Sequence, residues 1–138
     1  MQGRLQPDYL TRVERFCDRC VAVAERLEKE GRFRRIVEQL ACSSSSFGAN
    51  TAEASEAMSR KDFRKCLAIA AEELAETRFW LKLTVLRAWV TPEQVGPLNA
   101  GTRGTPKDHR FHPFQDQTSI NAQTCRQERA LALLHFRS

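Results

Sequence analysis

Histidine is scarce in this 138-residue sequence, and its three copies, His109, His112 and His135, all lie in the last quarter. No segment patterned as core therefore sets a histidine beside a serine, cysteine or carboxylate. That removes the common nucleophile–base pairs and the Glu-x-x-His motif of di-iron bundles. Six glycines and five prolines are too few for a disordered or fibrous chain. There is no Gly-rich phosphate loop and no G-x-S-x-G elbow, so no catalytic residue is expected and the chain is read as a non-enzyme. Long apolar runs are missing too. The longest uncharged stretch before the tail, Leu40 to Ala52, holds five Ser or Thr and one Asn, well short of the roughly 20 apolar residues a membrane span needs. Met1 to Asp8 lacks the basic-then-apolar order of a secretory signal, which points to the cytoplasm and away from a membrane. The five cysteines, Cys17, Cys20, Cys42, Cys66 and Cys125, are an odd number. Cys17 and Cys20 form a C-x-x-C with no second pair at zinc-site spacing and no preceding strand. They read as small buried thiols, and no metal or cofactor is expected.

What is present is the balance of a one-domain globular protein, with 41% apolar and 28% charged residues. Pro7 and Asp8 open a periodic segment that Gly31 closes, predicting a helix over about 8–30. Leu10, Val13, Cys17, Cys20, Val21, Ala24 and Leu27 form its apolar stripe, with Phe16 and Val23 at the margin. A second helix is expected over about 32–58, with a weak or bent middle at the run Ser43-Ser44-Ser45-Ser46-Phe47-Gly48. Ser59 and Asp62 resemble a capping box and start the clearest helix, about 60–90, whose Phe63, Leu67, Ala70, Leu74, Leu81 and Val85 recur at helical steps. No strand pattern of useful length occurs. The fold class is therefore all-α: an antiparallel up-down four-helix bundle built around a long helix pair, with three clear long helices. Residues 1–97 form this bundle domain. Gly96, Pro97, Gly101, Gly104 and Pro106 argue against helix across 96–114, so 98–138 reads as an irregular tail that replaces or distorts the fourth helix, with a short helix about 119–136.

The net charge of +5 is unevenly placed: residues 1–97 hold 16 Lys and Arg against 14 Asp and Glu, and 98–138 hold 6 against 3. Arg12, Arg15, Arg19 and Arg26 align on one face of the first helix, where they offer phosphate contacts. Glu14, Asp18, Glu25 and Glu28 run alongside and favour a solvated face or ion pairing, along the helix or with another subunit, instead. Arg60, Lys61, Arg64 and Lys65 crowd the first turns of the third helix, where the dipole disfavours cations unless an anion is near. A phosphate would serve, and so would Glu53 or Glu56. Asp62 is expected to pair with Arg64 or Lys65. Phe79, Trp80, Leu83, Leu86 and Trp89 make the end of the third helix apolar on more than one side, which suggests self-association.

Three blocks carry a likeness beyond this reading: Ser43 to Ala54, Ser59-Arg60-Lys61-Asp62-Phe63, and Glu73 to Leu81. In order and spacing they resemble the four-helix-bundle family that includes proteins encoded by intervening sequences in bacterial large-subunit rRNA genes. The likeness covers about residues 10–95. The family is similar in fold to the accessory variability determinant of diversity-generating retroelements, which binds nucleic acid and a reverse transcriptase. The resemblance implies up-down four-helix bundles assembled as ring-like homopentamers without known enzymatic activity. Carried onto this chain, the motif positions are Gly48, Ala49, Asn50 and Glu53, with Asp62, Phe63 and Trp80 on the next helix. The first group reads as small residues at a close helix contact plus an Asn and a Glu placed to hydrogen-bond across helices. After Leu98 the chain departs from the family pattern. Permitted codons for Gly104 through Gln117, read one base later, spell an amphipathic helix, which points to a reading-frame change in the gene.

The leading expectation is a self-assembling, non-catalytic bundle acting as a binding module for RNA or DNA. The alternative is a structural or protein-partner adaptor with no nucleic-acid role.

Overall fold

Proline at the first helical position and Asp8 in the first turn favour the start of α1, Pro7–Lys29, in the computed structural model. The structure describes residues 4–100, and all of them belong to the unit Met1–Lys107. Gly31 ends α1 with a positive φ of 67°. Its N–H bonds the Glu28 carbonyl at 2.9 Å and the Arg32 N–H bonds the Leu27 carbonyl at 3.0 Å, the two bonds of a Schellman cap.

α2, Arg34–Glu56, runs unbroken through the serine run. Its side chains bond back to their own helix: Ser44 to the Ala41 carbonyl at 3.1 Å, Ser43 to Leu40 at 3.4 Å, and Thr51 to Phe47 at 2.8 Å. Local back-bonding satisfies hydroxyls that must enter the core, so the competition that propensity predicts turns into a way of burying polar atoms. α3, Arg60–Leu86, starts at the expected cap, with the Asp62 N–H bonded to Ser59 Oγ at 3.0 Å. It ends earlier than its apolar pattern suggests. Ala88 adopts the left-handed conformation at φ 54°, and the Ala88 and Trp89 N–H groups bond the Val85 and Thr84 carbonyls at 2.9 and 3.0 Å, a second Schellman cap.

Leu5 and Arg4 bond Ser55 near one end of α2 while Cys17 bonds the Ser44 carbonyl midway, so α1 and α2 are antiparallel. Thr77 Oγ1 lies 3.0 Å from Ser43 Oγ, and Ala54 shares a cluster with Cys66, so α3 is antiparallel to α2 as well. Val13, Phe16, Cys20 and Leu27 of α1 meet Val37, Leu40 and Phe47 of α2 and Ala70, Leu74 and Leu81 of α3 in one core. The Phe16 and Phe47 rings pack edge to face there, 5.7 Å apart. At their far end Leu5 is buried with Ala54 and Cys66.

From Gly96 to Ala100 the structure corrects the expectation of irregular chain. A short helix α4, Pro92–Ala100, passes through Gly96 and Pro97. Thr91 and Gln94 form a reciprocal capping box: the Thr91 N–H bonds Gln94 Oε1 at 2.9 Å and the Gln94 N–H bonds Thr91 Oγ1 at 3.4 Å. With Pro92 at the first position and Val95 buried, these contacts outweigh the unfavourable Gly and Pro. The described chain is thus helical throughout its regular elements, with three long helices and a short fourth. The helix expected at 119–136, the rest of the tail and the proposed frame change lie outside the described residues.

Candidate nucleic-acid interface

The cations fall into groups set by the helices that carry them. Arg12, Arg15 and Arg19 are exposed on α1. The Arg12 guanidinium stands 5.8 Å from the centre of the Tyr9 ring, and Arg19 Nε donates to the Arg15 carbonyl at 3.2 Å. The neighbouring acids Glu14, Asp18, Glu25 and Glu28 form no ion pair within 4.0 Å with any described residue of the chain, so pairing along the helix is not what engages these arginines. Arg26 differs. It is half-buried, pairs with Glu30 at 3.4 Å and donates to the Trp89 carbonyl at 3.3 Å, tying the end of α1 to the turn after α3.

Arg60, Lys61, Arg64 and Lys65 are exposed in the first turns of α3 and have no acidic partner within 4.0 Å among the described residues. The expected pairing of Asp62 with Arg64 or Lys65 does not form, because the Asp62 carboxylate accepts the Ser59 hydroxyl at 2.6 Å in the cap. Arg4, which the sequence pattern does not single out, joins this end. Its guanidinium lies 5.8 Å from the Phe63 ring centre and donates to the Ala57 carbonyl at 2.8 Å and the Met58 carbonyl at 3.4 Å, neutralising the carbonyl end of α2. Tyr9 and Leu10 pack in the same cluster as Phe63 and Leu67. Arg12 therefore shares an end of the molecule with the α3 cations, Arg15 and Arg19 lie further along, and Arg26 sits at the opposite end.

The motif positions fall in different surroundings. A Cβ built on Gly48 would stand 2.8 Å from Cys17 Sγ, so any larger residue where α2 crosses α1 must displace that thiol. Ala49 and Glu53 are exposed. Asn50 corrects the expectation of a bond across helices: its Nδ2 donates to the Ser46 carbonyl of its own helix at 2.8 Å. Phe63 is half-buried beneath Arg4, and Trp80 Nε1 donates to Glu76 Oε1 at 3.1 Å. Burial pushes the Cys17 thiol up to about 11 and the Cys20 thiol up to about 12, which keeps both protonated and unreactive near neutral pH. No group of three or more metal-ligating side chains occurs among the described residues.

The helical order, the glycine crossing and the Ser59 cap accompany a match to the family model described as 23S rRNA-intervening sequence protein, over residues 8–105. The chain belongs to this family. The crystal structure of a protein with unknown function from the S23 ribosomal protein family of Bacteroides thetaiotaomicron VPI-5482 is similar to it, with a TM-score of 0.64 and 33% identity over 67% of this chain and 86% of that one. No curated protein matches. Neither match indicates a catalytic family. The family match runs on through Gly96, Pro97, Gly101 and Gly104 to residue 105, past Leu98, after which the sequence likeness is expected to end. No described helix is long and apolar enough to cross a membrane.

Proposed function

We propose that this protein is a non-catalytic, self-assembling helical bundle that binds RNA or DNA through the cations of α1 and α3. One observation carries the reading. Arg12, Arg15, Arg19, Arg60, Lys61, Arg64 and Lys65 are exposed, and none has an acidic partner within 4.0 Å among the described residues. Surface cations left without partners at a helix start, where the dipole opposes them, are held most cheaply when a polyanion completes the site. The family's description, which ties its genes to 23S rRNA, adds weight to RNA. Assembly is supported by Phe79 and Leu86, which are 57% and 72% exposed on α3. A homopentamer of up-down four-helix bundles in the cytoplasm is the arrangement that the family likeness favours.

The test is a titration of the purified protein with structured RNA and with duplex DNA across a range of salt. Binding should weaken steeply as salt rises, with a slope of about 0.9 per neutralised phosphate on duplex DNA. Replacing Arg60, Lys61, Arg64 and Lys65 with glutamine should flatten that slope by several units. A protein that ignores nucleic acid even at low salt sinks the proposal and leaves the adaptor reading, which exposed Met58, Phe79 and Leu86 favour.

A further inference from the structure

The strongest unassigned surface lies at the end of the molecule opposite the α3 cations, where the two Schellman caps meet. Arg32 follows Gly31 and Trp89 follows Ala88, each in the position just past the left-handed residue. The Arg32 guanidinium lies 5.8 Å from the centre of the Trp89 ring, and the Arg87 guanidinium lies 5.9 Å from the same centre. Two cations from separate turns thus share one aromatic ring. Beside them the chain reads Arg32-Phe33-Arg34-Arg35, and Phe33, at the N-cap of α2, is 63% exposed.

At this end Arg26, Lys29, Arg32, Arg34, Arg35 and Arg87 stand against Glu25, Glu28, Glu30, Glu38 and Glu93, and of these acids only Glu30 and Glu38 form ion pairs within 4.0 Å with described residues. Glu30 takes both Arg26 and Arg32, and Glu38 takes Arg34 at 2.7 Å. Lys29, Arg35 and Arg87 have no acidic partner within 4.0 Å among the described residues. The first turn of α2 also has no acidic residue and no side-chain cap, so its positive dipole end adds to the field. An exposed aromatic side chain beside arginines, with Lys29, Arg35 and Arg87 lacking an acid within 4.0 Å among the described residues, matches the chemistry that holds unpaired nucleotides: bases stack on the ring while guanidinium groups meet the phosphates. A duplex keeps its bases inside and offers such a ring nothing to stack on.

We infer that Arg32 and Arg87, which lie over the Trp89 ring, form with the adjoining Phe33, Arg34 and Arg35 of the chain a docking surface for the unpaired nucleotides of a single-stranded nucleic acid, with Phe33 as the stacking platform. The inference rests on the nucleic-acid reading above and adds strand selectivity and a second, separate contact site. The left-handed conformation at Ala88 has a use in this light, because it turns the chain so that Trp89 lies against Arg32.

The experiment uses the full chain, a short single-stranded RNA and its DNA counterpart carrying 2-aminopurine, and the matching duplexes. Stacking on Phe33 should change the 2-aminopurine fluorescence of the single strands. Phe33→Ser, a change at an exposed side chain, should weaken single-strand binding about tenfold and leave duplex binding as it was. Phe33→Trp should retain single-strand binding. An equal loss on single strands and duplexes, or no loss on either, overturns the inference. So does equal competition by polyglutamate, which would mark the surface as a site for acidic protein. If single strands and duplexes bind alike and only the Arg60, Lys61, Arg64 and Lys65 changes matter, stacking falls and the general nucleic-acid reading stands. If nothing binds, both fall.

Discussion

Gly48 shows how one atom sets the distance between two helices. Its missing Cβ leaves room for Cys17 Sγ, which is held in place by its bond to the Ser44 carbonyl at 3.1 Å. Gly48→Ala brings a gain and a loss: alanine favours the helix by roughly 0.5–1 kcal/mol, and the displaced thiol costs about 1–3 kcal/mol. The clash should win, giving a net loss of about 1 kcal/mol of stability, read as a lower denaturant midpoint at unchanged slope. In a Cys17→Ala background the obstacle is gone, and the same substitution should stabilise by roughly 0.5–1 kcal/mol. A change that keeps one sign in both backgrounds would refute the Cys17 contact as the reason for glycine. The sequence shows that a small residue sits in a patterned helix, and it suggests close approach. It does not show which residue approaches, because Cys17 is only one of several side chains on the facing stripe. Arg12, Arg15 and Arg19 are legible as one face from spacing alone. The departure of Arg26 from that group is not, since it depends on the Trp89 carbonyl, sixty-three positions away in sequence.

At the scale of elements, α1 and α3 end in the same hydrogen-bonded motif with different residues at its critical position. Gly31 adopts φ 67° freely, while Ala88 pays a steric cost at φ 54°. Ala88 is exposed, so its methyl group contributes little packing in return. Ala88→Gly should therefore raise stability by about 1 kcal/mol, after allowing for glycine's greater freedom in the unfolded chain. Urea unfolding at unchanged slope measures it, and a lower midpoint would show that the alanine is not strained. This asymmetry explains why one helix end is legible and the other is not: Gly31 announces a stop, whereas nothing in Val85-Leu86-Arg87-Ala88 does. The Ser59 cap is legible because its partner is three residues away. The same spacing at Thr91 and Gln94 is hidden by Gly96 and Pro97, which carry the stronger local signal but lose to the capping box and the burial of Val95. The serine run weakens the helix signal in the same way without hiding the single helix expected there, and back-bonding becomes favourable once neighbouring helices have excluded water from Ser43 and Ser44.

At the scale of the whole molecule, α2 has helices on both sides, while α3 keeps an apolar margin. Phe79 and Leu86 are seven residues apart, nearly two helical turns, so they stand on one side of α3. Removing each from water contributes roughly 1.5–3 kcal/mol. Two side chains are not an interface, since a stable one buries about 800 Å² on each partner, but they are of the kind that anchors one. Charge placed at both positions should then prevent association without harming the fold, because neither residue belongs to the buried core. The double variant Phe79→Glu and Leu86→Glu should keep its helical circular dichroism and fall in light scattering to the mass of a single chain, 15.8 kDa. If nucleic-acid binding depends on assembly, the same variant should also lose apparent affinity, because contacts repeated around an oligomer act together and those on a monomer do not. A variant that keeps the parent's oligomeric mass would place the subunit contact away from Phe79 and Leu86. A parent that is itself a monomer would remove self-assembly from the proposal and leave each chain to bind through its own two cationic ends.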